Sequence, residues 1–94
     1  MRIARAKPED TVTLTGIASA AKAHWGYPAR WMRQWTGALT ITPEYIVEHP
    51  TYAATTAGQI VGFYALRMER GEAWIDHLWV LPTAMYRGIG RALF

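Results

Sequence analysis

The sequence predicts an α+β fold. It has an N-terminal strand and two or three helices, then an antiparallel three-strand meander that leads into the start of another helix. Three observations carry this reading. Apolar residues recur at helical spacing ahead of Pro50 and alternate with a period of two after it. Proline stands beside acidic residues at two helix-start positions, Pro8-Glu9-Asp10 and Thr42-Pro43-Glu44. Short glycine-bearing connections separate the strand-like runs, and connections of that length join antiparallel neighbours.

Residues 2–6 alternate Arg2, Ile3 and Arg5 around small residues and fit a short first strand. Pro8, Glu9, Asp10 and Thr11 then open a helix, with proline near its beginning and acids where the positive end of the helix dipole favours them. Leu14, Ile17, Ala18 and Ala21 recur at helical spacing, so this helix runs to about Ala23, where His24-Trp25-Gly26-Tyr27-Pro28 interrupts it. A second helix is expected from Pro28 to Leu39, with Trp31 and Trp35 four apart on one face beside Met32. Trp25, Trp31, Met32 and Trp35 read first as core and helix-face packing. Thr42 is the expected N-cap of a shorter helix that stops before Pro50. The strand-like runs are Thr51–Thr56, Gln59–Met68 and Ala73–Val80, joined at Ala57-Gly58 and at Glu69-Arg70-Gly71-Glu72.

Composition narrows the function. With 94 residues, 51% hydrophobic and 18% charged, the chain is a single globular domain rather than a disordered segment. Cysteine is absent, which excludes a disulfide framework, a thiolate metal site and a thiol nucleophile. Three scattered histidines, His24, His49 and His77, offer no metal cluster. The net charge of +3 comes from dispersed basic residues, so nucleic acid is not an expected partner. Nor is a membrane, because no uncharged apolar run approaches the roughly 18 residues that a spanning helix needs. Acids at Glu9 and Asp10 stand where a signal peptide needs its apolar stretch, so the expected location is cytoplasmic.

The chemistry lies in Leu78–Phe94. A strand stops at Pro82, turns through a loop holding Gly88 and Gly90, and enters a helix at Gly90–Phe94. The start of a helix presents unpaired N–H groups and the positive end of the dipole. Small residues there let an anion approach, and Arg87 and Arg91 add full charges, so the turn reads as a phosphate site. An ordinary strand-to-helix turn is the plainer alternative. The segment lacks the Gly-Lys-Ser/Thr of a P-loop, and its glycines do not match the dinucleotide fingerprint.

At these residues the sequence resembles the GCN5-related N-acetyltransferase (GNAT) superfamily. That family's loop pattern, Arg/Gln-x-x-Gly-x-Gly/Ala, follows a strand ending apolar-x-Val-x-Pro. Here it falls on Met85, Tyr86, Arg87, Gly88, Ile89 and Gly90, after Leu78-Trp79-Val80-Leu81-Pro82. Met85 departs from the usual Arg or Gln, and Tyr86 stands where glycine is frequent. The order of elements agrees with the acyl-CoA N-acyltransferase fold across essentially the whole chain. That fold continues with further strands and a helix, so the 94 residues are expected to be the N-terminal portion of such a domain.

The resemblance implies acetyl-coenzyme A as cofactor and a small-molecule or peptide amine as substrate. It implies that backbone groups of Leu78, Trp79 and Val80 run beside the pantetheine arm. Backbone N–H groups of Tyr86, Arg87, Gly88, Ile89, Gly90 and Arg91 would hold the pyrophosphate, and a backbone N–H near Val80 would serve the oxyanion. Trp74 occupies the place of the glutamate base of well-known members. Asp76, two residues on, is the candidate base, and His77 is the second. For Asp76 the plainer alternative is a structural carboxylate, and for His77 a packing residue. Trp25, Tyr27 and Trp31 are candidate walls of the acceptor pocket, which the family places between its first helices and the sheet. A different class of function stays open: an inactive GNAT-like domain that acts by pairing with another chain, including a homodimer through an exposed strand edge.

Overall fold

The computed structural model describes residues 1–84. It is an antiparallel sheet in chain order with helices packed on one face. β1 (Arg2–Arg5), β2 (Thr51–Thr56), β3 (Gln59–Glu69) and β4 (Glu72–Val80) lie side by side as β1-β2-β3-β4. Between β1 and β2 come α1 (Thr11–Ala23), α2 (Ala29–Gln34), α3 (Thr36–Leu39) and α4 (Pro43–Glu48). The expected glycine turn and the helix at Gly90–Phe94 lie outside the described residues.

Two expectations for the helices need correction. The first α-helix begins at Thr11 rather than Pro8, because Pro8–Asp10 form a tighter 3₁₀ turn. In that turn the Lys7 N–H donates to Asp10 Oδ2 at 2.8 Å, and the Asp10 N–H donates to the Lys7 carbonyl at 2.9 Å. The expected second helix, Pro28 to Leu39, is broken at Trp35, whose backbone leaves the regular helix at φ −90° and ψ −1°. The break has a local cause. Thr36 turns its hydroxyl onto the Met32 carbonyl (3.3 Å), and Gly37 follows as a poor helix former. Trp35 donates its own N–H to both the Trp31 and Met32 carbonyls, at 3.1 and 3.2 Å, which tightens the turn.

Both hairpins are two-residue turns with positive φ at each central position: Ala57 (52°) and Gly58 (80°), then Arg70 (53°) and Gly71 (79°). This geometry matches the right-handed twist of the flanking strands. The second turn is tighter than its sequence suggests, because β3 extends to Glu69 and β4 starts at Glu72.

The core lies between the helices and the sheet. Leu14, Ile17 and Ala18 of α1 meet Leu39 of α3, Ile41 of the following connection, Ile46 of α4, and Ala53 and Phe63 from the strands. The apolar positions read from helical spacing, Leu14, Ile17, Ala18 and Ala21, are the buried face of α1. A smaller cluster covers the opposite face of the sheet, where Ala84 packs with Ala54, Val61, Tyr64 and Val80. After Pro82 the chain has therefore crossed to the side away from the helices. Among the described residues no helix is long and apolar enough to cross a membrane.

Ala57 holds a left-handed conformation that costs an L-residue with a Cβ roughly 1 kcal/mol. Ala57→Asn should raise unfolding stability by about 0.5–1 kcal/mol in a urea titration, because asparagine tolerates that conformation better.

Candidate active site

The site is built around one irregularity in β4. Ala65 of β3 pairs with His77 and Leu66 with Ile75, so Asp76 is a bulge residue with no partner opposite. Strict alternation would send the neighbours Asp76 and His77 to opposite faces. The bulge brings both to the side facing α4. There Tyr45 donates its phenol to Asp76 Oδ2 at 2.5 Å and presents its ring edge-on to His77, with centroids 5.5 Å apart.

Tyr45 is held by a series of local contacts that starts on α1. The Thr11 hydroxyl donates to the Ile41 carbonyl, and Thr15 Oγ1 accepts the Ile41 N–H at 2.9 Å. Thr42 then caps α4, its Oγ1 accepting the Tyr45 N–H at 3.0 Å, with Pro43 in the first helical turn. Beyond Tyr45, His49 donates from Nδ1 to the Tyr45 carbonyl at 3.1 Å, and its ring stacks on the Tyr45 ring at 4.1 Å.

Charge around Asp76 is modest. Arg67 Nη1 lies 3.9 Å from Asp76 Oδ1, while its Nε is 3.5 Å from Glu69 Oε2, so one guanidinium serves two carboxylates. The Asp76 side chain is 28% exposed, within reach of a ligand. Burial, and after it the hydrogen bond to Asp76, hold the Tyr45 phenol well above its ordinary range. Tyr45 therefore stays protonated and acts as a donor.

His77 is half-buried and neutral. Burial pushes its pKa below the ordinary value; the Asp76 charge opposes this and His49 adds to it. The geometry agrees, since Trp79 Nε1–H donates to His77 Nδ1 at 2.9 Å and an indole nitrogen can only donate. The Nδ1 lone pair is thus engaged, and the neutral ring carries its proton on Nε2.

β4 is the last strand of the described sheet, and its outer edge is unpaired among the described residues. The Leu81 N–H donates inward to the Val61 carbonyl at 2.8 Å. Main-chain groups of successive residues in an antiparallel strand point to opposite edges, so the Val80 N–H points outward. Leu78, two residues earlier, faces the same open edge with its backbone, and Trp79 faces β3. Tyr86, Arg87, Gly88, Ile89, Gly90 and Arg91, the expected pyrophosphate holders, lie outside the described residues.

The aromatic residues expected at the acceptor side divide into two groups. Tyr27 meets Trp35 edge-on at 5.0 Å and Trp31 at 6.1 Å, and Trp31 and Trp35 are themselves 6.1 Å apart. Trp25 makes its ring contact with His24 instead, at 5.5 Å. Trp25 and Trp31 are 63% and 41% exposed, so the expectation of core packing fails for both. Tyr45 and Arg67 are the site residues that the sequence did not signal. Thr42 marks where Tyr45 enters a helix, but nothing local tells that this helix faces β4.

Among the described residues no group of three His, Asp or Glu side chains could hold a metal ion. A family model, the acetyltransferase (GNAT) family, matches residues 14–94. The fold is similar to the PaiA N-acetyltransferase of Thermoplasma acidophilum solved with coenzyme A, at a TM-score of 0.84 and 20% identity over 98% of this chain and 65% of that one. It is also similar to a GCN5-related N-acetyltransferase from Rhodopseudomonas palustris, at a TM-score of 0.75 and 24% identity over 98% of this chain and 59% of the other. A third similar structure is a GNAT acetyltransferase from Brucella melitensis solved with acetyl-CoA, at 0.68 and 21% identity over 98% and 62% of the two chains. The chain thus spans about three-fifths of the length of these structures. No curated protein matches the sequence.

A histidine kept neutral by burial binds its proton more readily once unfolded. Below the ordinary pKa of 6.5 and down to the lowered folded value, the unfolded chain holds more protons, so stability is lost as pH falls through that window. His77→Gln keeps an acceptor for Trp79 and removes the titration. Its melting temperature should fall less steeply than that of the parent between about pH 7.5 and pH 5, where burial depresses the parent's histidine pKa.

Proposed function

The chain belongs to the acetyltransferase (GNAT) family, and on that footing we propose that it supplies the acceptor side of an acetyl-coenzyme-A-dependent N-acetyltransferase. The acetyl group passes directly to a primary amine of a small molecule or peptide, with no covalent enzyme intermediate. One observation carries this reading: Asp76, fixed by Tyr45 at the bulge, lies on the strand whose Val80 N–H faces an open edge. The similar structures from Thermoplasma acidophilum and Brucella melitensis, which hold coenzyme A and acetyl-CoA, support the choice of cofactor.

The residues present fit that cofactor, because a strand edge left unpaired among the described residues offers main-chain groups to an extended arm. Leu78 and Val80 would hold the pantetheine through their outward backbone groups, with Trp79 between them. Tyr86 to Arg91 would supply amides to the pyrophosphate. Acetyl-coenzyme A, when bound, provides the activated thioester. The acceptor amine reacts only when neutral, so a base must take its proton. Asp76 Oδ1 is the atom for this, since Tyr45 occupies Oδ2 and stays protonated. His77, with its Nδ1 engaged by Trp79, orients the site through Nε2–H rather than serving as the base. The Val80 N–H gives the acyl oxygen a fixed donor.

A second reading rests on the same edge. β4 is nine residues long, its outer side is unpaired among the described residues, and Ile75 and Leu78 beside it are 45% and 36% exposed. Two copies pairing there would form a dimer and would exclude the cofactor arm. Calorimetry with coenzyme A, paired with sedimentation at several concentrations, separates the readings. Heat from a monomer supports transfer chemistry, whereas a dimer with no heat supports pairing.

Asp76→Asn should lower kcat by about 10²–10⁴-fold, the usual worth of a general base, while coenzyme A affinity by calorimetry stays the same. An unchanged rate would remove Asp76 from the mechanism. Tyr45→Phe frees Oδ2 and should cost about tenfold in kcat, the scale of one hydrogen bond to a charged group.

A further inference from the structure

Two aromatic rings on the α1–α2 side of the molecule meet a cation, and a third ring packs against both. The Lys22 ammonium, in the last turn of α1, lies 4.8 Å from the ring centre of Tyr27 and 4.4 Å from that of Trp35. Trp31 joins both rings at 6.1 Å. The chain is shaped for this arrangement. Gly26, at φ 76°, takes a left-handed turn that brings Tyr27 back beside Lys22, and the four-residue spacing of Trp31 and Trp35 sets both on one face. No ion pair among the described residues involves Lys22, and residues 85–94 contain no Asp or Glu. Among the described residues its ammonium is met by π faces instead of a carboxylate.

We propose that Tyr27, Trp31 and Trp35 form a binding site for an alkylammonium group, and that Lys22 is its tethered occupant. An aromatic face attracts a cation through its quadrupole, with no demand for a particular hydrogen bond. A site that takes the end of a lysine therefore takes other alkylammonium groups of similar size. Tyr27 and Trp31 are 38% and 41% exposed, so the site opens to solvent. Trp35 is packed against the core that also carries Tyr45 and Trp79, which ties the site to the same core as β4.

The consequence for the acceptor rests on the acetyl-transfer reading. Aromatic faces favour the charged form of an amine, whereas the attacking amine must be neutral. The group held here is therefore an anchor and not the nucleophile. The fitting acceptor is an amine that carries a second, cationic alkylammonium group, which takes the rings by displacing Lys22.

The test needs no turnover, so its failure leaves the acetyl-transfer reading untouched, and the converse holds too. Tryptophan fluorescence is titrated with tetramethylammonium chloride against sodium chloride at matched ionic strength. Lys22→Ala suits a helix and vacates the rings, and it should bind tetramethylammonium about fivefold or more tighter than the parent, the scale of a cation–π contact. Adding Tyr27→Leu to Lys22→Ala should abolish that gain, while adding Tyr27→Phe, which keeps a π face, should retain it. Circular dichroism confirms that each variant is folded. A Lys22→Ala variant that binds no better than the parent overturns the proposal. So does a Tyr27→Leu double variant that binds as tightly as Lys22→Ala alone, or equal binding of neopentyl alcohol, an uncharged molecule of nearly the same shape.

Discussion

Between Ala65 and Leu66 on β3 the facing strand passes from His77 to Ile75, and Asp76 is left without an opposite residue. The rest of the candidate site depends on that extra residue. An unbroken ladder would present every second side chain of β4 to α4, so Tyr45 could meet Asp76 or His77 but not both. The bulge lets a carboxylate and an imidazole stand next to each other on one face, where a phenol bonds the first and packs on the second. Arg67, which pairs with Trp74 just beyond the bulge, reaches the same carboxylate. A local failure of pairing thus assembles three elements at one point.

The helical side is held to this point by short polar contacts. Thr11 and Thr15 of α1 take both main-chain groups of Ile41, which is itself buried. Pinning Ile41 sets the position of Thr42, Thr42 caps α4, and the third residue of that helix is Tyr45. Apolar burial alone would leave a six-residue helix such as α4 free to slide, because one buried side chain, Ile46, does not define an axial position. The threonine contacts supply that definition. The Thr51 hydroxyl, buried and bonded to the His49 carbonyl at 2.9 Å, fixes the other end of the same segment where β2 begins.

Much of this fold was legible in the sequence, because its strong signals are local. The apolar spacing in α1, the Thr42 cap, the change of period after Pro50 and the two hairpins each depend on residues a few positions apart, and each has its counterpart in the structure. The break at Trp35 was missed because Trp31 and Trp35 keep a helical spacing through it, and only Thr36 and Gly37 argue against continuity. The bulge was hidden for a similar reason: Ala73–Val80 reads as a plain strand, and a bulge is a property of two strands in register. Asp76 and His77 could therefore be named as candidates, but their shared face and their contact with Tyr45 could not. That contact joins residues 31 apart in sequence, and no spacing rule reaches so far.

Competition between burial and charge decides the state of the pair at the bulge. A carboxylate beside an imidazole normally draws a proton onto the ring, which would turn Asp76 and His77 into an internal ion pair. Here burial against Phe63 and Tyr45 outweighs the pull of Asp76, and the nearby His49 acts in the same direction as burial. The Trp79 indole adds a geometric condition, because its N–H needs the Nδ1 lone pair that protonation would remove. His77 therefore stays neutral, and the carboxylate is left with Tyr45 on one oxygen and a shared, more distant Arg67 near the other. An aspartate whose charge was already neutralised by a contacting imidazolium would have little reason to accept a proton from an incoming ammonium. In the proposed acetyl transfer, keeping the histidine uncharged is what leaves Oδ1 of Asp76 available as a base.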